Sequence, residues 1–151
     1  MKTLITAATV AFLAAPVMAQ SDDIVKVPAS GNVEATADRL EAAIDNAGAT
    51  VAARVDHGAA AATVDMGLHD AQLLIFGNPK IGTPAMQDDA LAGLFLPLKV
   101  LVYEDGEGQV WLAYEDPAAM SDRLDGISAD APYLERMQGA LRALTSAAAS
   151  E

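Results

Sequence analysis

The sequence predicts an α+β fold in a single domain, a two-layer α/β sandwich with a mixed sheet of about five strands and helices mainly on one face. Three observations lead to this prediction. Five short segments have the composition of strands, and five others have helical periodicity or helix-start signals. The segments follow one another in the order β-α-β-α-β-α-β-β-α-α, and no linker between them is long enough to divide two domains.

The N-terminus has the pattern of a secretory signal peptide over residues 1–19. Lys2 provides the positive start, Leu4 to Ala15 is apolar, and Val17-Met18-Ala19 resembles a cleavage site. A membrane anchor needs about 20 apolar residues, and this run is shorter. We therefore expect cleavage after Ala19, a mature single domain over residues 20–151 with no stable membrane anchor, and a periplasmic or secreted location.

The composition restricts the class of partner. The chain has 21 acidic against 9 basic residues and a formal net charge of −12. Phosphate backbones and anionic headgroups are repelled by such a charge, which argues against nucleic-acid and membrane-surface binding. The chain has no cysteine, so we expect packing, not disulfides, to stabilise it.

The first half of the chain contains two strand segments separated by an amphipathic helix. Ile24 to Pro28 alternates weakly and stops at proline, as an edge strand does. Apolar residues then recur at helical spacing, and Asn46-Ala47-Gly48 ends the pattern. Thr50 to Val55 is predicted as the second strand, and Gly58 to Asp65 as a small alanine-rich crossover. The apolar positions of the helix are Val33, Ala37, Leu40 and Ile44.

The second half begins with Ala71 to Phe76, which is apolar at four consecutive positions and is predicted as an inner strand. Thr83 and Pro84 predict a helix start. Leu98 to Tyr103 and Gln109 to Tyr114 flank a glycine-containing turn and predict a hairpin. A short helix from Asp116-Pro117 toward Leu124 and a longer one from Pro132 complete the chain.

The hairpin has apolar residues on both faces. Leu98, Val100 and Val102 point to one side, whereas Leu101, Tyr103 and Trp111 point to the other. Since too few long helices remain to cover two faces, we expect a second copy of the chain to cover part of the sheet in a homodimer. The alternative is a monomer with half-exposed aromatic residues.

Polar residues at the strand ends predict a binding site. If the strands at 50–55 and 71–76 are parallel, His57 lies beside Asn78 and Lys80, where backbone N–H groups of the helix beginning near Thr83 also point. The positive charge of Lys80 favours a small anionic or amphipathic ligand. The candidate ligand-binding residues are His57, Asn78, Lys80, Thr83 and Tyr114.

Catalytic and metal functions have less support in the sequence. The chain has neither a cysteine nor a Gly-x-Ser-x-Gly nucleophile motif. The sequence therefore identifies no catalytic residues and favours a protein that is not an enzyme. An enzyme using His57 in acid/base chemistry is the alternative. No metal site and no cofactor are expected, although His57, His69, Met66 and Met86 leave weak metal binding open.

Several blocks together resemble the family called domain of unknown function 302. They are Asp56-His57, the stretch 75–87, Leu96 to Val102 with Glu104-Asp105, and Val110-Trp111-Leu112 before Asp116-Pro117. The resemblance covers most of Val25 to Leu144. It implies a small α+β sandwich, dimeric, found alone or fused to other bacterial domains, with no established activity and no known catalytic residues.

This chain departs from the family pattern at three places. Phe95 stands where relatives often have an acidic residue, Tyr103 where they often have Trp, and Leu124-Asp125-Gly126 where many have a histidine. The resemblance therefore implies no acid/base or metal role at these positions. We expect an exported, non-enzymatic module that binds a small ligand or a protein partner.

Overall fold

The computed structural model describes residues 23–150, so the predicted signal peptide lies outside the described residues. The elements follow the predicted order, with one additional 3-10 helix at Ala90–Leu94. The strands are β1 (Ile24–Ala29), β2 (Thr50–Asp56), β3 (Ala71–Gly77), β4 (Leu98–Glu104) and β5 (Val110–Glu115). The helices are α1 (Val33–Asn46), α2 (His57–Ala62), α3 (Pro79–Asp88), α4 (Ala119–Arg123) and α5 (Pro132–Ala149).

The five strands form one sheet in the order β1-β5-β4-β3-β2, in which all four pairings are antiparallel. The α+β sandwich is confirmed, but the sheet is not mixed. The predicted parallel pairing of β2 with β3 is wrong, because Thr50 pairs with Gly77 and Asp56 with Gln72. Residues 57–70 connect the two strands, and their helix α2 spans about 9 Å, too short to run back along a strand of about 20 Å as the helix of a parallel crossover does. The chain instead turns back at the same end of the sheet.

The main core lies between one face of the sheet and helices α1 and α5. Alternate residues of the inner strands point into it, among them Leu74, Phe76, Val100 and Leu112, all 2% exposed or less. The predicted apolar positions of α1 are all buried there. Helices therefore lie mainly on one face, as the sequence predicts.

A second, smaller core lies under α3, α4 and the beginning of α5. Its buried members include Ala85, Met120, Leu134 and Met137. Tyr133 joins two of these helices, because its hydroxyl donates a hydrogen bond of 2.8 Å to Asp88 Oδ2 at the end of α3. Burial, and then this hydrogen bond, raise the pKa of Tyr133 to about 12. The contact fixes α5 against α3.

The opposite face of the sheet is apolar at its centre. Leu73, Ile75, Leu101, Tyr103 and Trp111 alternate with the core residues and are partly exposed, and they lie outside the core that α1 and α5 cover. The alternation predicted for the hairpin is thus confirmed. Between residues 23 and 150, none of the helices has the length and apolar character needed to cross a bilayer.

Candidate functional site

Three predicted site residues lie together on or beside α3. Asn78 caps the helix: its Oδ1 accepts a hydrogen bond from the Lys80 backbone N–H at 3.0 Å, and its Nδ2 donates to the Gly48 carbonyl at 3.3 Å. Lys80 is in the first turn, and Thr83 is one turn further along. Asn78 therefore ties the start of α3 to the loop after α1.

The helix begins earlier than the sequence predicts, at Pro79 instead of near Thr83. Asn78 is a better cap than Thr83 in this setting, since Pro79 suits the first helical position. The first N–H groups are then already bonded: those of Ile81 and Gly82 donate to the Asn78 carbonyl at 2.9 and 3.0 Å. The expectation that free N–H groups of this helix hold an anion is wrong.

His57 lies at the other end of the sheet. In the antiparallel register Thr50 pairs with Gly77 and Asp56 with Gln72, so about 20 Å of strand separates the His57 end from the Asn78 end. The shared rim of His57 and Lys80 predicted from a parallel pairing is therefore wrong. His57 is exposed, and the neighbouring Asp56 accepts a hydrogen bond from the Ala59 N–H at 2.8 Å as the cap of α2.

A groove of about 560 Å³ opens beside Asn78 and Thr83. Phe76 and Leu98 of the sheet lie at its floor, α3 forms one wall, and α5 forms another. Asn78 and Thr83 line this groove, whereas His57, Lys80 and Tyr114 do not. Most of its lining is apolar: Ala47, Ala49, Ala52, Pro79, Ile81, Met86, Leu96, Pro97, Met137, Ala140 and Leu144 also contribute.

Sequence reasoning missed the walls that α5 contributes to this groove. Met137 and Leu144 were recognisable as an apolar helix face, which is the usual pattern of core residues. Ala140 between them leaves space because its side chain is a single methyl group. A small residue inside an apolar helical stripe was the available signal, but the distance to α3 depends on tertiary packing.

Tyr114 is separate from the groove, on the core-facing side of β5, and is 6% exposed. It lines a pocket of about 310 Å³ between β1 and α5, together with Asp116, Gln138 and Arg142. Burial raises the pKa of Tyr114, the charge of Arg142 lowers it, and the charge of Asp116 raises it. The five predicted ligand-binding residues thus lie at three places: Asn78, Lys80 and Thr83 at α3, His57 at the other end of the sheet, and Tyr114 in the pocket between β1 and α5.

Acidic and histidine side chains do meet at the His57 end of the sheet. His69 Nδ1 lies 3.7 Å from Glu104 Oε1 on the surface. Among residues 23–150, however, no three His, Asp or Glu side chains gather as a metal site would require. The geometry therefore gives no support to the weak metal-binding alternative.

Comparison with known families gives the assignment. The family model described as domain of unknown function DUF302 matches residues 25–144, which is most of the chain. The chain belongs to the DUF302 family. A crystal structure of an uncharacterized conserved DUF302 protein from Bacillus stearothermophilus has the same fold, with a TM-score of 0.74 at 19% identity over 83% of this chain and 97% of that chain.

Two curated relatives are similar to this DUF302 protein over part of their own length. The protein named Fluoride-specific ion channel FluC 1 of Brucella suis biovar 1 is 44% identical over 108 residues, which are 71% of this chain and 42% of that protein. Its namesake in Brucella abortus biovar 1 is 44% identical over the same length, 40% of that protein. The chain thus spans about two fifths of these relatives.

Proposed function

We propose that this DUF302 protein is a non-enzymatic binding module whose main site is the groove between α3 and α5. The observation that carries the proposal is the groove itself, an open, mostly apolar cleft of about 560 Å³ with Asn78 and Thr83 at its edge. Pockets for small molecules have volumes of roughly 300–1,000 Å³, with apolar walls and few polar groups. The favoured ligand is apolar or amphipathic.

An amphipathic ligand suits the groove better than a small anion does. The helix start next to it has its N–H groups bonded internally, so an isolated anion gains little there. An apolar chain, in contrast, gains about 25 cal/mol for each Å² of surface removed from water. Lys80 is exposed in the first turn of α3, outside the groove lining, and it is the cation that would meet a negatively charged headgroup.

Filling the groove tests this proposal. Ala140→Phe places a large side chain on the α5 wall, and the matched control Ala143→Phe places the same side chain on the exposed side of α5. We expect the apolar dye N-phenyl-1-naphthylamine to bind the wild type and the control, and dodecanoate to displace it. Ala140→Phe should weaken dye binding at least about tenfold, or about 1.4 kcal/mol.

Circular dichroism must show that both variants remain folded. Equal dye affinity in Ala140→Phe and wild type would place the dye elsewhere and overturn the proposal. Comparing dodecanoate with dodecylamine measures the preference for an anionic headgroup, and Lys80→Gln should remove that preference. The alternative of an enzyme using His57 gains no support from an exposed imidazole that makes no hydrogen bond among residues 23–150.

The curated relatives suggest a second candidate function, that of an accessory module of a membrane ion channel. Their names describe a fluoride-specific channel, and more than half of each lies outside the aligned region. The region shared with this chain would then be an accessory module. Deleting that region from the Brucella suis protein and measuring fluoride efflux from liposomes tests the idea, because unchanged efflux and unchanged fluoride dependence would remove it.

Two further proposals concern location and assembly. Export rests on the sequence of residues 1–19, and N-terminal sequencing of the mature protein should begin at Gln20; an intact Met1 would contradict it. Homodimer formation is supported by the apolar open face of the sheet around Leu101, Tyr103 and Trp111. The mass of the protein in solution tests it.

A further inference from the structure

We propose that the pocket between β1 and α5 binds a small zwitterion of the amino-acid class, with Arg142, Asp116 and the Tyr114 hydroxyl as its polar contacts. This pocket of about 310 Å³ is distinct from the apolar groove. Helix α5 contributes to both cavities, but with different residues, and the other lining residues of the two come from different elements. Val25, Val27 and Ala149 give it an apolar wall. The inference does not depend on the function proposed for the groove.

The first observation is a tyrosine hydroxyl that has no hydrogen-bond partner in the described part of the protein. Tyr114 is 6% exposed, yet its hydroxyl makes no hydrogen bond within residues 23–150. The two charged groups that act on this phenol, Arg142 and Asp116, both line the same pocket. No buried side-chain polar atom within residues 23–150 lacks a partner, so the Tyr114 oxygen is open to the pocket, where water or a ligand is its partner.

The second observation is that the two charges in the pocket do not neutralise each other. No ion pair joins Arg142 to Asp116 in the described part of the chain, and the guanidinium makes no hydrogen bond there. Asp116 uses only Oδ1, which accepts from the Ala118 N–H at 2.9 Å and from Gln138 Nε2 at 2.8 Å. Its Oδ2 is left for a donor.

The two charges are also held apart by the fold. Gln138, which donates to Asp116, lies four residues before Arg142 on α5. The attachment point of Asp116 on this helix is thus about 6 Å, one helical turn, from Arg142. A pure anion would be attracted by Arg142 but repelled by Asp116, and a pure cation would meet the reverse. A molecule with both a carboxylate and an ammonium group satisfies both, and a small apolar side chain fits against Val25 and Val27.

The probe for this pocket is L-leucine, tested against two molecules that each lack one charged group. 4-Methylpentanoate is leucine without the ammonium group, and isoamylamine is leucine without the carboxylate. We expect saturable amide chemical-shift changes at Val25, Val27 and Ser146 in a nuclear magnetic resonance titration. Leucine should bind about tenfold more tightly than either analogue, because each charge-assisted hydrogen bond contributes to binding.

Three variants assign the binding to this pocket. Arg142→Gln should weaken leucine binding about tenfold and bring it near the affinity of isoamylamine, and Tyr114→Phe should weaken it about fivefold. Arg136→Gln, an exposed arginine on the same helix outside the pocket lining, should change nothing. The proposal is overturned if leucine gives no saturable shifts, if either analogue binds as well as leucine, or if Arg142→Gln binds leucine as the wild type does.

Discussion

Asp105 shows how one side chain fixes the β4–β5 hairpin. Its Oδ1 accepts hydrogen bonds from the backbone N–H groups of Glu107 and Gln109, at 2.9 and 3.0 Å, and its Oδ2 accepts from Trp111 Nε1 at 2.8 Å. The Trp111 bond, followed by that of Gln109, lowers the pKa of Asp105. The carboxylate therefore stabilises the turn and orients the indole on the open face of the sheet.

The lowered pKa makes a prediction for acid stability. A group with a folded pKa below its unfolded value contributes stability above the unfolded value, near pH 4, and loses it as the pH falls through the folded pKa. Asp105→Asn should therefore lower the melting temperature at pH 7 and flatten its fall below about pH 4. Glu107→Gln, in the same turn, is the control and should keep the wild-type profile in thermal denaturation. An unchanged profile in Asp105→Asn would contradict the assignment.

Two glycines, Gly126 and Gly139, have opposite effects on how the helices form and pack. Gly126, in the loop between α4 and α5, lies against the end of α3: a Cβ there would be 2.7 Å from the Asp88 carbonyl oxygen and 2.9 Å from Asp89 Cβ. Gly139, within α5, has no heavy atom within 4 Å of such a Cβ. The first glycine permits close packing of the loop on α3, whereas the second only weakens its own helix.

Alanine at these two positions should therefore have opposite effects on the free energy of unfolding. Gly126→Ala forces the loop away from α3 and should destabilise the protein by about 1–3 kcal/mol. Gly139→Ala should stabilise it by up to about 1 kcal/mol, because alanine has the higher helix propensity. Urea denaturation measures both. Equal effects in the two variants would mean that the close approach at Gly126 does not limit the packing.

At the scale of the whole molecule, the sheet has one face covered by helices and one left open. Five strands spaced about 4.8 Å apart and about 20 Å long give the open face roughly 500 Å² in plan. Side chains add to this area, and a stable interface needs about 800 Å² on each partner. The face carries Lys26, Lys99 and Glu115 around its apolar centre, but Glu115 is paired with Arg123 and Lys99 donates to the Phe95 carbonyl, so the apolar centre is the main support for a two-fold pairing.

The proposed homodimer predicts the effect of one charge at the centre of this face. Leu101→Glu should convert a dimer into a monomer in size-exclusion chromatography with light scattering, since a carboxylate buried between two sheets has no partner. Ala147→Glu adds the same charge to the exposed side of α5 and should leave the mass unchanged. A monomeric wild type at micromolar concentration would contradict the dimer.

The sequence by itself determined the order and type of the elements, the apolar faces of α1 and the hairpin, and the family. These depend on local periodicity, caps and turns, which short stretches of chain encode. It did not determine whether β2 runs parallel to β3, and the candidate site depended on that direction. Antiparallel pairing separated His57 from Asn78.

Only the tertiary structure decided which residues share a cavity. Ala140 of α5 and Met86 of α3 line one groove, and the Tyr114 pocket forms where β1 meets α5. These contacts join residues far apart in the chain, and their geometry follows from helix packing and strand register, which no local pattern specifies.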